Sequence, residues 1–242
     1  MVKRVAGYGN PPNPPLRKEG DAAAGRKAGP NDADADILRT VLDGDLARME
    51  QPSVGPVLLV MAGLPGAGKS HFAKRLVERL SFLVLETDRL RKVLVPSPRY
   101  TLGEHRRLFD SCHLLIEEYL KNGYPVLFDA TNLTEMFRVP LYRIAGSLGI
   151  PMAIVEVTAP REVVRRRLRS REAGLDRDSN SDAGWLIYCR MASAWEPIHR
   201  KHYTVDSSSD ITPVLEQMVD WARTAALAGG TGSQKSMPNN PN

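Results

Sequence analysis

The 242-residue sequence predicts an α/β fold in which a parallel β-sheet carries helices on both faces. Short apolar runs alternate with longer amphipathic segments, the pattern of strands joined by crossover helices. A glycine-rich segment, residues 63–70, directly follows the first apolar run and opens the next helix. Because ligands of such sheets bind at the carboxyl ends of the strands, polar residues just beyond those ends are candidates for function.

Composition limits the class of protein. A hydrophobic content of 42% suits one core, and no apolar run has the length of a membrane span or the pattern of a signal peptide. Cys112 and Cys189 show neither disulfide nor metal spacing, so we expect reduced thiols in a cytoplasmic protein. The net charge of +5 falls mostly in residues 1–30, where a solvated leader is a simpler explanation than affinity for polyanions.

Four regions follow from the order of these patterns. Residues 1–31 are rich in Gly, Pro and charge and predict a disordered leader, and residues 229–242 predict a disordered tail. Residues 32–52 predict an amphipathic helix and a linker, and the sequence leaves open whether this helix docks on the domain or on a partner. Residues 53–228 form the predicted domain.

The elements of that domain can be placed from periodicity and turn residues. Strands are predicted at residues 56–62, 82–86, 125–128, 152–157 and 202–205. Helices are predicted at residues 69–80, to Val95 after the second strand, and at 104–121, 134–148, 160–171, 182–195 and 213–227. Residues 172–181 are polar and turn-forming, which predicts a mobile lid.

The segment Gly63-Leu64-Pro65-Gly66-Ala67-Gly68-Lys69-Ser70 fits the phosphate-binding pattern G-x-x-x-x-G-K-[ST]. Glycines let backbone N–H groups turn toward an anion, and the following helix start adds partial positive charge. Lys69 is expected to contact the β- and γ-phosphates of ATP, and the Ser70 hydroxyl to ligate Mg²⁺. The strand before the loop and the helix after it argue against a chance match.

The second strand ends at Asp88, followed one helical turn later by Arg91. In phosphoryl transfer a carboxylate in this position accepts the proton of the acceptor hydroxyl. The alternative is that Asp88 caps the helix that follows. Arg91 is a candidate for binding an acceptor phosphate or carboxylate, with an ordinary surface arginine as the alternative.

The third strand ends at Asp129, the usual setting of a carboxylate that helps to hold Mg²⁺. A helix-start or turn aspartate is the alternative. Thr131 and Asn132 follow it and are candidates for binding the acceptor, unless they only form an Asx-type turn.

Arginines crowd the segment before and within the predicted lid: Arg161, Arg165, Arg166, Arg167, Arg169, Arg171 and Arg177. A lid arginine can stabilise the charge that develops on a transferred phosphoryl group. Arg166 and Arg169 lie three residues apart on one helix face and are the predicted catalytic pair, and Arg171 at the lid edge is predicted to bind the nucleotide. A solvated helix face is the alternative for most of them.

Together, the loop, Asp88-x-x-Arg91, Asp129-Ala-Thr-Asn132 and the arginine-rich lid resemble the P-loop kinases of the polynucleotide 5′-kinase and zeta-toxin group. The likeness covers roughly residues 56–205 and implies a P-loop NTPase-type fold. It implies that Lys69 and Ser70 bind ATP and Mg²⁺, that Asp88 is the general base and that Arg91 faces acceptor phosphate. Here one residue separates Asp129 from Thr131, whereas the group has Asp-Thr-Asn.

The sequence therefore predicts an ATP-dependent kinase that phosphorylates a hydroxyl group. A P-loop ATPase or nucleotide switch without an acceptor, and a non-catalytic nucleotide-binding module, are the alternatives. Aromatic residues make up only 6% of the chain, which favours a small-molecule acceptor over a nucleic-acid 5′-hydroxyl. No membrane partner is expected, and the sequence predicts no oligomeric state.

Overall fold

The computed structural model describes residues 30–49, 51–95, 97–98, 101–172 and 184–229. The predicted leader, lid and tail fall mainly on residues outside this part: 1–29, 173–183 and 230–242. Among the described residues, no helix is long and apolar enough to cross a membrane.

Five short strands form the centre of the fold: β1 (Leu58–Ala62), β2 (Leu83–Glu86), β3 (Val126–Asp129), β4 (Met152–Thr158) and β5 (Tyr203–Asp206). They form one sheet in the order β2-β3-β1-β4-β5, with every neighbouring pair parallel. All residues of β1 and β3 are buried, as expected for central strands covered on both faces.

Eight helices occur in the described part of the chain. They are α1 (Pro30–Leu46), α2 (Lys69–Val77), α3 (Thr87–Leu94), α4 (Leu102–Lys121), α5 (Glu135–Leu148), α6 (Arg161–Glu172), α7 (Trp185–Ser193) and α8 (Thr212–Gly229). Two ends differ from the predicted ones by more than two residues: the end of α2, at Val77, and the start of α7, at Trp185. The last predicted turn of α2 keeps two helical hydrogen bonds, from Glu78 N to Lys74 O and from Leu80 N to Leu76 O. After α7, Glu196 N donates to Leu133 O.

The two faces of the sheet carry separate hydrophobic cores. Leu58 and Val60 of β1 pack with α1, α4 and α5, whereas Leu59 and Met61 pack with α2 and α8. A third, smaller cluster joins α6 and α7 through Val164, Leu168 and Tyr188. The predicted α/β fold with helices on both faces is therefore confirmed.

The docking of α1, which the sequence left open, is on the domain itself. Leu38 and Leu42 are fully buried in the core beside α4. Two bidentate ion pairs flank these leucines: Arg107 donates to Asp34 at 2.8 Å, and Arg39 donates to Glu118 at 2.8–3.0 Å. Partly exposed pairs contribute about 1 kcal/mol or less each, so leucine burial at about 1.5–3 kcal/mol each dominates the docking.

Replacing Leu42 with Ala is expected to lower the free energy of unfolding by about 2–5 kcal/mol, because the cavity lies in a fully packed core. Ile37 on the same helix is 49% exposed, so Ile37→Ala is the matched control and should change stability by about 0.5 kcal/mol or less. Urea denaturation measures both. Equal stability of the two variants would show that α1 is not docked in solution.

Candidate active site

The carboxyl ends of β1, β2 and β3 bring the predicted phosphate loop together with Asp88 and Asp129. Electrostatic coupling shows their proximity, since the charges of both aspartates act on the Lys69 ammonium. Ser70 donates a hydrogen bond to the Asp129 carboxylate. The structure therefore collects the loop lysine, the loop serine and both carboxylates in one crevice.

Two glycines of the loop are required by close packing as well as by backbone conformation. Gly66 has φ +77°, and a Cβ there would lie 2.9 Å from Val164 Cγ1 on α6. Gly68 has φ +100°, and a Cβ there would lie 2.8 Å from Ser207 Oγ, beyond the end of β5. The loop thus has no room for side chains at these positions, and its backbone can approach an anion closely.

Burial shapes the titration of the charged pair at the loop. Burial lowers the pKa of Lys69, an effect opposed by Asp129 and then Asp88 and assisted by Arg171. Burial raises the pKa of Asp129 to about 6, opposed by Lys69 and by the Ser70 hydrogen bond. The Lys69 ammonium donates to the Leu64 carbonyl at 3.3 Å. A phosphate or divalent cation entering this crevice would find both charges already desolvated.

Asp88 occupies the first turn of α3, which begins at Thr87. The N-cap residue is Glu86, and the Glu86 side chain makes no capping hydrogen bond. Asp88 lies two residues after the N-cap, inside the helix. The structure therefore removes the N-cap explanation of Asp88. Its half-buried carboxylate lies in the first turn of α3 and near Lys69.

Arg91 is 5% exposed and lies against His105 of α4, with 3.2 Å between its Nη2 and the His105 Nδ1. The His105 ring stacks on Phe109 at 4.2 Å and meets Phe137 edge-on at 4.6 Å. Burial, then Arg91, lowers the pKa of His105 to about 4, opposed by Asp88. A neutral imidazole that accepts from Arg91 thus lies beside the candidate base, a neighbour that no sequence motif indicated.

The two predicted acceptor residues after β3 have different surroundings. Thr131 is half-buried and accepts a hydrogen bond from Gly63 N at 3.1 Å through its carbonyl. Asn132 is fully buried with φ +47°, and its Nδ2 donates to the Met61 carbonyl at 2.7 Å. The Asn132 side chain ties the loop to β1 through this bond, and its Oδ1 is buried without a hydrogen-bond partner among the described residues, so its role toward an acceptor stays a prediction.

The arginines of α6 differ in their surroundings. Arg166 and Arg169, the predicted catalytic pair, are exposed on the side of the helix away from Val164 and Leu168, and their role stays a prediction. Arg167 contacts the loop instead, donating to the carbonyls of Gly66 at 3.3 Å and Ala67 at 3.4 Å and to the Ser207 side chain and backbone at 2.8 and 2.9 Å. Arg171, one turn further on, is near enough to act on Lys69.

No group of three or more His, Cys, Asp or Glu side chains that could hold a metal is present in the described residues. Mg²⁺ is usually held by one or two carboxylates, a hydroxyl and substrate phosphates, so this does not conflict with the prediction. Ser70 and Asp129 are hydrogen-bonded oxygen donors and fit that role.

Several solved structures share this architecture. Chaetomium thermophilum Kti12 in complex with ADP-AlF3 gives a TM-score of 0.55 at 18% identity, covering 70% of this chain and 98% of that one. The Mycobacterium tuberculosis APS kinase CysC in complex with AMPPNP and APS gives 0.52 at 17% identity, covering 69% and 97%. Such identities show the fold alone. Together with the glycine loop, the shared architecture defines an α/β protein of the P-loop fold.

The chain belongs to the AAA domain family, whose model matches residues 58–186. A curated relative is L-seryl-tRNA(Sec) kinase of Methanococcus maripaludis, 28% identical over 116 residues. The match covers 46% of this chain and 44% of the relative, so the chain spans less than half of that protein's length.

Arg167→Ala is expected to weaken ATP binding about tenfold, since the four hydrogen bonds that hold the loop and Ser207 are lost. Arg166→Ala removes the same charge from the neighbouring exposed position and should change affinity by less than about twofold. Calorimetric titration at fixed ionic strength compares the two. An equal loss would show that only net charge matters.

Acid is expected to destabilise the protein through its buried histidines. Burial lowers the pKa of His113 on α4 to about 4, as it does for His105, against about 6.5 in the unfolded chain. Below pH 6.5 the unfolded state binds more protons at these histidines than the folded state does, so each histidine lowers the free energy of unfolding by about 2 kcal/mol at pH 5. Asp129 acts in the opposite direction: its raised pKa lets the folded state bind more protons, which raises the free energy of unfolding by about 1 kcal/mol at pH 5.

Replacing His113 with Leu isolates this effect. Its Nε2 is buried without a hydrogen-bond partner among the described residues, so the variant should be at least as stable as the parent at pH 7. Between pH 7 and pH 5 it should lose about 2 kcal/mol less stability than the parent. Denaturation at both pH values measures this, and identical pH dependence would contradict the buried neutral state.

Proposed function

We propose that the protein is an ATP-dependent kinase that transfers the γ-phosphoryl group to a hydroxyl of an acceptor. The observation that carries the proposal is the position of Asp88: within the first turn of α3, beside the loop lysine, and not at the N-cap. A nucleotide-binding module would need the loop but not a carboxylate there. The relative described above and several of the structural neighbours are kinases by name, which supports the assignment to kinases.

In the proposed reaction the acceptor oxygen attacks the γ-phosphorus as the bond to the β–γ bridging oxygen breaks. A P–O bond forms, ADP leaves with the electron pair, and the hydroxyl proton passes to Asp88. Lys69 and the loop N–H groups neutralise the phosphate oxygens. Arg171 lies near Lys69 and is the lid arginine best placed to meet the developing charge, while Arg167 positions the loop.

Ser70 and Asp129 are the residues proposed to hold Mg²⁺. When bound, the ion would supply positive charge that neutralises β- and γ-phosphate oxygens. Burial raises the pKa of Asp129 to about 6, and a bound cation would compensate the charge of this desolvated carboxylate.

Arg91 and Thr131 remain the proposed acceptor contacts. The Asp88-x-x-Arg91 spacing also supports, as a proposal, membership of the polynucleotide 5′-kinase and zeta-toxin group. One observation concerns the alternatives. The apolar face of α1 is buried on α4, so it offers no basis for a switch that binds a partner through that face. We keep a small-molecule acceptor ahead of a nucleic-acid 5′-hydroxyl.

Asp88→Asn tests the kinase against the switch. The amide keeps the size of the carboxylate but cannot take a proton, so phosphoryl transfer to an acceptor should fall about 10²–10⁴-fold while ATP binding persists. Lys69→Ala is the companion variant and should lose ATP binding and turnover together, because phosphate charge goes uncompensated. Transfer is followed by ³¹P NMR with sugars, nucleosides and 5′-hydroxyl oligonucleotides.

Undiminished transfer by Asp88→Asn to a verified acceptor would reject Asp88 as the base. Wild-type ATP consumption by a folded Lys69→Ala protein would reject the phosphate-loop assignment itself. Circular dichroism of each variant separates loss of chemistry from loss of fold.

A further inference from the structure

A cavity of about 170 Å³ opens beside the phosphate loop, on the side of β4. Its walls come from the start of the loop, the end of β4, and the helices α6 and α7. The lining side chains used below are Leu64, Glu156, Thr158, Val164, Tyr188 and Trp195. None of them was selected from the sequence as an acceptor contact.

The cavity adjoins the start of the loop, where the Leu64 carbonyl contacts the Lys69 ammonium. The loop lysine reaches the β- and γ-phosphates in such motifs, and Lys69 Nζ lies 3.3 Å from the Leu64 carbonyl. Gly63, which also lines the cavity, donates its N–H to the carbonyl of Thr131 at 3.1 Å. A molecule in the cavity would therefore lie next to the reacting phosphoryl group and to the loop after β3.

The acidic group of the cavity is paired with a histidine. His202 Nε2 lies 3.2 Å from Glu156 Oε2, with the two side chains 17% and 20% exposed, and His202 Nδ1 lies 2.8 Å from the Arg200 carbonyl. The bond to Glu156 raises the pKa of His202, which favours an imidazolium that donates from both nitrogens. A charge-balanced carboxylate accepts hydrogen bonds from neutral hydroxyls without selecting a cation.

Apolar side chains form the opposite wall. Tyr188 and Val164 pack with Leu64 in the small cluster between α6 and α7. Trp195 is half-buried, and the fully buried Arg138 lies 5.8 Å from the centre of its ring. Arg138 also donates to three backbone carbonyls on the two segments that meet here, those of Asn132, Glu196 and Pro197. The aromatic wall is thus fixed before any ligand arrives.

We propose that this cavity holds the non-reacting part of the acceptor, and that this part is an uncharged, hydroxyl-rich ring such as a sugar. The inference rests on the proposed kinase function and names the acceptor class. Its volume is well below the ~300–1,000 Å³ of sites for drug-sized ligands, so it takes one small ring and excludes a nucleotide. Hydroxyls meet Glu156 and Thr158, while the C–H face lies on Trp195.

The lining also argues against other acceptors of similar size. Inside the cavity an anionic ring would bring its charge against the Glu156 carboxylate, and a cationic one would compete with the imidazolium of His202. Arg91 does not line the cavity, so its proposed contact is with a part of the acceptor outside it. A flat nucleobase would also stack on the aromatic wall and can donate to Glu156, so adenosine is included among the comparison probes.

The experiment titrates the full chain, in the presence of ADP and Mg²⁺, with myo-inositol, D-ribose and D-glucose, and with D-gluconate, L-serine and adenosine as comparison probes. Calorimetry reports binding, and ³¹P NMR with ATP reports transfer. At least one neutral polyol is expected to bind more than about tenfold tighter than every comparison probe.

Two cavity variants and one control locate the binding. Glu156→Gln and, independently, Trp195→Leu should each raise the Kd, and the KM where transfer occurs, of that polyol about tenfold or more, with a smaller change in kcat. Glu162→Gln makes the same change at an exposed position of α6 and should leave both constants within about twofold.

The outcomes separate the two proposals. A polyol that binds, responds to both variants and receives no phosphate keeps the cavity assignment and overturns the kinase function. Failure of every neutral polyol to bind, tighter binding of a comparison probe, or a polyol Kd unchanged in a folded Glu156→Gln or Trp195→Leu protein overturns the cavity assignment.

Discussion

The contact between α6 and the phosphate loop is the constraint on which the site depends. Gly66 and Gly68 leave no space for a Cβ, so α6 and Ser207 lie directly against the loop backbone. Arg167 donates hydrogen bonds to two carbonyls of the loop. Because these carbonyls point toward α6, the N–H groups of the same peptides point to the opposite side, where an anion would bind. The shape of the loop is therefore held from outside before a nucleotide arrives, which reduces the ordering cost of binding.

A second arginine plays a comparable part at the loop after β3. Arg138 is fully buried and satisfies its guanidinium largely with carbonyls of the segments before α5 and after α7. Arginine suits this task because its rigid fork offers five donors in one plane. The loop after β3 also accepts the Gly63 N–H through the Thr131 carbonyl. The phosphate loop, the loop after β3 and Trp195 therefore form one connected unit. Displacing any one of them would move the groups that must align for transfer.

The sequence predicted the sheet, its helices and the convergence of Lys69, Ser70, Asp88 and Asp129, because apolar runs and strand ends are local signals. It did not single out Arg167, although Val164 and Leu168 mark the buried face of α6 and place Arg167 beside it. Arg138 and His202 could not be found in this way. Their partners are carbonyls and a carboxylate distant in sequence, such as Glu196, 58 residues from Arg138, and only the folded chain brings them together.

The folding unit is larger than the region that the family model matches. That region starts at residue 58, yet α1, which ends at Leu46, supplies Leu38 and Leu42 to the core. The strand beneath it, β2, is an edge strand, and α1 packs against β2, α3 and α4. Arg89 of α3 forms an ion pair with Asp45 of α1 at 2.5 Å, next in sequence to the candidate base Asp88. The helix that carries the proposed base is thus held on its outer side by a segment outside the family match, so the orientation of Asp88 depends on residues that the family pattern does not contain.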